Sequence, residues 1–276
     1  DVNDLFSGSA SSVADYAAFG VQSVVFGPGS LTGDIRTVGL SVLDDLLLEG
    51  DETVDLSIAG VGGPGVSVGG QSSRQITILD NETIQIQFVA SVGLAPEGIP
   101  TELVSLQLVG APGVTLAVPV SATVADVGSG TATSDNDYGT VGIQTVIFPI
   151  GSAIGSSADM SLSVLDDLLL EGNETVDLAL TGTSGPGVTL GTQLNHQVTI
   201  IDDESAQIQF VAPGALTPES VPTEIVSLEL VAAPGVTIGP GVSVSASVTD
   251  AGTGSATAGS DYTPFGVQTV VFGPGS

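Results

Sequence analysis

The octapeptide L-D-D-L-L-L-E-G occupies residues 43–50 and occurs again, letter for letter, at residues 165–172. Both copies continue into [DN]-E-T-V-D-L, and they lie 122 residues apart. Flanking segments return at the same distance, since Gln85–Phe88 (Q-I-Q-F) is repeated at Gln207–Phe210. A period of this length corresponds to a domain of ordinary size. The sequence therefore predicts tandem domains built from one repeat.

The ends of the chain fall inside repeats. Phe19–Ser30 (F-G-V-Q-S-V-V-F-G-P-G-S) is almost repeated at Phe265–Ser276 (F-G-V-Q-T-V-V-F-G-P-G-S). We expect a back portion of a repeat at 1–82, a complete repeat at 83–204 and a front portion at 205–276. The chain is then either an excerpt from a longer array or a subunit whose half-domains complete each other between molecules. We favour the excerpt, because the two terminal portions contain the same part of the repeat twice and so do not add up to one complete repeat.

Local patterning is that of β-strands. Apolar residues alternate with polar ones at Ile84–Phe88, at Leu103–Leu108 and again from Val242 to Val248. Gly-Pro-Gly and Pro-Gly pairs separate these segments as turns. The pattern predicts an all-β fold of short strands, a β-sandwich. The three leucines of each octapeptide cannot all face one core, so they form either a partly buried loop or an apolar contact with the neighbouring domain.

Composition excludes several partners. The 276 residues include 31 Asp and Glu but only two Lys and Arg, for a formal charge of −29. Phosphate backbones and anionic membranes need Lys and Arg, so nucleic acid and lipid surfaces are poor partners. The longest uncharged stretch, Leu103–Ala125, is interrupted by glycine and proline, and we expect no membrane insertion in this segment.

Catalytic chemistry is poorly supported. His196 is the only histidine, and it stands in a strand-like segment without a partner motif. The chain has no Cys and no Trp, so thiol chemistry and aromatic sugar platforms are missing as well. We expect a protein that is not an enzyme.

Carboxylates gather at probable strand ends. In the complete repeat they stand at Glu97, at Asp137, between Asp166 and Glu174, and in the closing triplet Asp202–Glu204. If the sandwich brings these ends to one pole, like charges crowd together, which is costly unless protons or cations neutralise them. Ca²⁺ suits such a pole because it takes six to eight oxygen ligands in irregular, loop-supplied geometry. Zn²⁺ would require His or Cys.

These motifs resemble the Calx-beta domain, a repeat of sodium–calcium exchanger regulatory loops, integrin β4 and large bacterial surface proteins. The resemblance rests on Asp-Tyr, on V-x-F-x-P-G at Val24–Gly29, on D-D-x-x-x-E-G-[DN]-E-T and on the closing I-x-D-[DN]-[DE], in that order. It implies tandem immunoglobulin-like sandwiches of about seven strands each, with calcium bound at one end.

The resemblance also implies a ligand set. In the complete repeat it comprises the carboxylates of Glu97, Asp137, Asp166, Asp167, Glu171, Glu174, Asp202 and Asp203, with the backbone carbonyl of Leu169. In the first repeat it comprises Asp15, Asp44, Asp45, Glu49, Glu52 and Asp80, and Asn81 replaces a charged ligand. The last repeat contributes only Glu219 and Asp261. The alternative is a solvated acidic pole that keeps the motif as a fold signature.

We expect a calcium-binding structural repeat of a long extracellular or cell-surface protein, such as a stalk, fibre or adhesin. Ca²⁺ would make the domain junctions rigid, because the repeats join without a linker. The expected partners are neighbouring repeats of the same protein, including self-assembly into fibres. Two alternatives stay open at this point: a filament-forming subunit completed by its neighbour, and a calcium-sensing module of a membrane protein.

Overall fold

The computed structural model describes residues 1–275, and Ser276 lies outside the described part. Those residues form twenty strands and no helix, which confirms the all-β prediction. None of them belongs to a helix long and apolar enough to cross a membrane. The strands are β1 (Val2–Asp4), β2 (Leu47–Leu48), β3 (Glu52–Ile58), β4 (Ser73–Ile78), β5 (Ile84–Phe88), β6 (Val92–Pro96), β7 (Thr101–Gly110), β8 (Thr115–Leu116), β9 (Val120–Asp126), β10 (Ile143–Phe148), β11 (Ser157–Ser163), β12 (Leu169–Leu170), β13 (Glu174–Ser184), β14 (Val188–Leu190), β15 (Asn195–Ile201), β16 (Ala206–Phe210), β17 (Leu228–Ala232), β18 (Thr237–Ile238), β19 (Val244–Val248) and β20 (Gln268–Phe272).

The second repeat, residues 83–204, is a two-layer sandwich. One sheet has five strands in the order β10-β9-β13-β15-β6, and the other has four in the order β11-β7-β5-β14. The first strand of the repeat crosses from one sheet to the other between β5 and β6, and the last strand does so between β14 and β15. If each crossing strand is counted once, seven strands result, as the immunoglobulin-like prediction requires.

Alternating residues of both sheets fill the space between the layers. In β5 the side chains of Ile84, Ile86 and Phe88 are buried, whereas Gln85 is exposed and Gln87 half-buried. The same two-residue period runs through β7, β9, β13 and β15, because successive side chains of a strand point to opposite faces. One continuous core of the second repeat follows from this pattern.

Strand register brings three chain segments to one end of the five-stranded sheet. In the antiparallel pair β13–β15, Glu174 lies opposite Ile200. In the parallel pair β15–β6, Ile201 lies opposite Pro96, so the residues that follow β15 and β6 leave the sheet together. The start of β13, the end of β15 and the end of β6 therefore meet at one place. We call this end of the second repeat the acidic pole.

The flanking repeats are smaller, and both contact the second one. The first repeat has the sheet β1-β3-β4 and a small core around Tyr16, Phe19, Val54 and Leu56. The third has the pairs β16–β17 and β19–β20. The leucines of each octapeptide form β2 and β12, which pair in parallel with β8 and β18 of the repeat that follows. Of the two interpretations of these leucines, contact with the neighbouring domain is the one observed.

A tyrosine ties the Asp-Tyr motif to the sandwich. The hydroxyl of Tyr138, which is buried, donates to a carboxylate oxygen of Asp126 at the end of β9. Tyr16 and Tyr262 make the same bond to Asp4 and Asp250, in each case twelve residues earlier in the chain. Burial and the nearby carboxylate raise the pKa of Tyr138, so the phenol stays a donor at neutral pH.

We predict that Tyr138→Phe lowers the free energy of unfolding by about 2 kcal/mol, because the Asp126 carboxylate loses a charge-assisted hydrogen bond. Denaturant unfolding of the full chain measures this loss. Tyr262→Phe is the matched control: its hydroxyl bonds an exposed aspartate, so a change of about 0.5 kcal/mol or less is expected. Equal losses in the two variants would contradict the prediction.

Candidate metal centre

Three carboxylates of the acidic pole converge from two loops and a strand. The amide of Leu165 donates to the carbonyl of Asp137 at 2.9 Å, which holds the Asp-Tyr motif beside the octapeptide. Glu171 ends the octapeptide loop, and Glu174 opens β13. Asp137, Glu171 and Glu174 thus each place one carboxylate oxygen within 4.8 Å of the other two.

A second group lies beside the first. Glu97, Asp203 and Glu204 also place one oxygen each within 4.8 Å of one another, because Glu97 follows β6 and the other two follow β15. Glu97 is only 8% exposed, and its buried Oε2 has no hydrogen-bond partner. Glu97 also contributes to the raised pKa of Glu174, so the two groups face each other.

Burial and mutual repulsion hold protons on these groups. Burial raises the pKa of Glu174 to about 8, and the carboxyls of Asp137, Glu171 and Glu97 add to the shift. Burial raises the pKa of Glu97 to about 7, and the carboxyls of Asp167 and of the closing triplet Asp202–Glu204 add to the shift. Without a cation, the site therefore carries fewer charges at neutral pH than its carboxylates could supply.

Asp202 has a different part in the site. Its Oδ2 accepts from the amides of Glu171 and Gly172 at 2.9 and 2.5 Å, and its Oδ1 accepts from Glu204 N at 2.8 Å. Burial opposes the charge of Asp202, but these three backbone donors outweigh it and lower the pKa of this carboxyl. Asp202 stays ionised and fastens the octapeptide loop to the closing triplet.

The remaining predicted ligands of the second repeat lie on the loop itself. Asp167 Oδ1 accepts from Leu169 N at 2.6 Å and so closes a tight turn. Asp166 is exposed and belongs to neither three-carboxylate group. The carbonyls of Leu168 and Leu170 accept bonds from the third repeat. Leu169 stands between them in β12, opposite Thr237, and its carbonyl as a calcium ligand stays a prediction.

The first repeat reproduces this arrangement. Asp15, Asp45 and Glu49 place one oxygen each within 4.8 Å of one another. All six predicted carboxylates of this repeat line one cavity of about 30 Å³, namely Asp15, Asp44, Asp45, Glu49, Glu52 and Asp80.

The details of the two sites also correspond. Asp80 accepts from Glu49 N at 2.9 Å and from Gly50 N at 2.6 Å, as Asp202 does in the second repeat. Burial raises the pKa of Glu49 and of Glu52 to about 7, with Asp15 as the principal neighbouring charge. Asn81, at the position that corresponds to Asp203, donates a hydrogen bond from Nδ2 to Asp44 Oδ1 at 3.2 Å, so one of the six carboxylates already has a donor.

The third repeat does not assemble a comparable group within the described residues. Glu219 and Asp261 are both exposed, and neither belongs to a three-carboxylate group. Asp261 Oδ2 accepts from Thr257 N at 2.7 Å, the same turn bond that Asp137 receives from Thr133.

The two arginines of the chain lie in the first repeat, outside its three-carboxylate group. Arg36 lies over the ring of Phe26, 5.3 Å from its centroid, and Arg74 is exposed on β4 opposite Leu56. The N-terminal ammonium donates to Gly60 O at 2.9 Å. His196 is buried beside Phe88, and its Nδ1 bonds the carbonyl of Ala90 at 2.8 Å. The carboxylates of both sites therefore depend on protons or an external cation for neutralisation.

One residue was absent from the predicted ligand set. Glu204 joins Glu97 and Asp203, and its buried Oε2 has no hydrogen-bond partner. Burial, together with Asp202 and Asp203, raises the pKa of Glu204 to about 7. Burial and the neighbouring Asp80 also raise the pKa of Glu82, the counterpart of Glu204 in the first repeat. The signal was available as the third acid of the closing triplet, which occurs in both repeats.

The residues present fit a cation held by oxygen ligands. Three buried glutamate oxygens have no hydrogen-bond partner: two belong to Glu97 and Glu204, members of one three-carboxylate group, and the third belongs to Glu52, which lines the cavity of the first repeat. Nitrogen and sulfur ligands are missing from these groups, which contain only Asp and Glu.

Comparison with known proteins gives one family. The family model of the Calx-beta domain matches three times, at residues 5–82, 80–204 and 202–276. Among solved structures, the crystal structure of the apo form of the Calx CBD1 domain is 24% identical and covers 44% of this chain and 99% of its own, with a TM-score of 0.37. The calcium binding domain CBD12 of CALX1.1 is 19% identical and covers 69% of this chain and 71% of its own, with a TM-score of 0.37. A search of curated proteins found no match.

We predict that the cation-free protein loses stability as pH rises from about 5 to about 8. The pKa of Glu174 rises from 4.5 to about 8 in the folded state, so folding takes up a proton in this range. The contribution of Glu174 to stability is fully present below its pKa in the unfolded state and is lost as pH rises through its pKa in the folded state. Thermal unfolding in excess chelator at several pH values measures this slope.

Glu174→Gln imitates the protonated carboxyl and should flatten the dependence. Glu224→Gln is the control, because it removes one charge from an exposed position outside both groups. A slope that Glu174→Gln leaves unchanged would contradict the assignment of the proton to this site.

Proposed function

The chain belongs to the Calx-beta domain family, and on that premise we propose that it is a calcium-binding structural segment of an extracellular repeat protein. In this proposal each acidic site holds Ca²⁺ between neighbouring repeats, and the bound metal makes the array rigid. The segment works as a stalk, fibre or adhesin shaft and performs no catalysis.

The unpartnered glutamate oxygens are the observation that carries the proposal. A buried carboxylate oxygen without a donor loses its hydration and gains nothing in return. The second repeat has two such oxygens, on Glu97 and Glu204, within one three-carboxylate group. The first repeat has one, on Glu52, in the equivalent cavity. A bound cation would supply the missing partner in each case.

Calcium is the cation that the donor set favours. Asp137, Glu171 and Glu174 could hold one ion, and Glu97, Asp203 and Glu204 a second beside it. The ligands come from loops and strand ends, which suits the irregular, high coordination of Ca²⁺ better than the strict octahedron of Mg²⁺. When bound, the metal supplies positive charge that neutralises the carboxylates and cross-links the segments that carry them.

The position of the site supports a mechanical role. Asp45 and Glu49 belong to the first site, and Leu46–Leu48 between them contacts the second repeat. A cation that fixes both ends of this segment restricts how the two repeats can move relative to each other. The formal charge of −29 acts in the same direction, since self-repulsion loosens the array at low salt until divalent ions neutralise it.

An extracellular location follows from this proposal. Calcium is millimolar outside cells, so sites of modest affinity would be filled there permanently and would serve as structural elements. We therefore propose neighbouring repeats of the same protein as the principal partners, with self-assembly into fibres as a further expectation.

We predict that millimolar calcium stabilises the repeat that holds it by roughly 3–4 kcal/mol per occupied site relative to excess chelator, if free calcium exceeds its dissociation constant a few hundredfold. Thermal unfolding and titration calorimetry measure the shift and the stoichiometry. The double variant Glu171→Gln/Glu174→Gln should lose the part of the shift that belongs to the second repeat. Glu224→Gln should keep all of it, and equal shifts in both variants would exclude this site.

We predict that calcium lengthens and stiffens the chain in solution. Small-angle scattering in calcium should give a larger maximum dimension and a narrower distance distribution than in chelator, because both junctions become rigid. Asp45→Asn/Glu49→Gln should abolish the change at the first junction alone. Identical scattering curves in calcium and chelator would leave metal binding without a mechanical role.

A further inference from the structure

The segment Leu46–Leu48, which we call the leucine loop of the first repeat, is bonded to the second repeat through its backbone. Thr115 N donates to Leu46 O at 3.0 Å, and Ala117 N donates to Leu48 O at 3.0 Å. These bonds form the short parallel pair β2–β8. The loop therefore adds a strand to an edge of the following repeat.

The side chain of Leu48 is part of the second repeat's core. It is 0% exposed and packs in the same continuous cluster as Leu116, Val114 and the strands of the second repeat. The core of its own repeat, around Tyr16 and Val54, is a separate cluster that does not include it. A residue encoded in one repeat thus fills a position in the core of the next.

The surface that receives the loop is shaped to it. We call this surface the socket; it consists of the turns at residues 111–116 and 185–187. A Cβ atom added to Gly187 would come within 2.6 Å of Leu48 Cδ1, and one added to Gly113 would come within 2.9 Å of Leu46 Cδ1. On the other side, a Cβ on Gly50 would lie 3.1 Å from Pro186. The loop fits against glycines that leave room for it.

The second junction repeats this geometry. Thr237 N donates to Leu168 O at 2.9 Å, and Gly239 N donates to Leu170 O at 3.0 Å. A Cβ on Gly235 would come within 3.0 Å of Leu168 Cδ1, as Gly113 does for Leu46. Leu170 lies opposite Ile238, which is 7% exposed. Two independent copies of the contact show that it belongs to the repeat itself.

We propose that the leucine loop completes the core of the repeat that follows it, so that the stability of that repeat depends on a side chain encoded in its predecessor. Leu48 fills a core position of the second repeat, and Leu170 lies half-buried opposite Ile238 of the third. Stability in a linear array is a sum of repeat and interface contributions. Leu48 adds buried apolar surface to the backbone hydrogen bonds of this interface, and it acts whether or not a cation is bound.

Hydrogen exchange of the full chain tests the proposal. It is measured in excess chelator, so that calcium binding does not contribute to the result. Truncation of a buried leucine leaves a cavity, so Leu48→Ala should lower the protection of β9 and β13 by at least roughly 30-fold. Protection of β3 and β4, in the repeat that carries the mutation, falls as well to the extent that the first repeat loses the same contact energy on opening. Unchanged protection of β9 and β13, or a loss confined to β3 and β4, would overturn the proposal.

Leu47→Ala is the matched control, because it shortens a leucine of the same loop that is 39% exposed. It should leave the second repeat's protection close to that of the unmodified chain, and Leu48→Met should recover most of it because the volume is kept. If Leu47→Ala and Leu48→Ala have the same effect, the core position of Leu48 is not what couples the repeats.

Leu170→Ala gives a second and milder test at the other junction, where the leucine is half-buried. It should lower the protection of β16–β19 in the third repeat, by a smaller factor than Leu48→Ala lowers that of β9 and β13. Unchanged protection of β16–β19 would overturn the proposal at this junction.

Discussion

Like charge crowded at the end of a sandwich is the constraint on which this structure depends. The register of β13, β15 and β6 brings Glu174, Asp202 and Glu97 together, and both arginines lie in the first repeat, away from this pole. Without a metal ion, this crowding raises the pKa values of Glu97 and Glu174. The pKa of Asp202 is lowered instead, because three backbone amides donate hydrogen bonds to its carboxylate. Asp202 therefore connects the loops, while the neighbouring acids remain available for a cation.

The same loop serves the site and the junction. Asp45 and Glu49 belong to the carboxylate group, and Leu48 between them enters the core of the next repeat. The proposed cation site and the observed contact between repeats therefore share one backbone segment of eight residues, the repeated octapeptide. The proposed polar contribution depends on ions in solution, whereas the apolar one depends on burial and persists without them.

Much of the fold and part of the site could be read from the sequence. Alternation over Ile84–Phe88 predicted a strand, and a strand with the expected buried face is observed. All six acids that the resemblance implies for the first repeat line one cavity, and their role as ligands stays a prediction. Glu204 was missed, and Asp166 proved to be exposed, because an acid's position in a motif does not reveal which way its side chain points. The choice between a loop and an interdomain contact for the leucines also stayed open.

The sequence by itself determined the repeat, its all-β character and the concentration of acids at strand ends, because these follow from periodicity and composition. Only the tertiary structure decided which carboxylates share a site, which one is kept ionised by backbone amides and where Leu48 is buried. Those properties depend on strand register and on contacts between residues thirty or more positions apart, such as Gly50 with Asp80. In the case of Leu48 they depend on contacts between different repeats, which no local pattern encodes.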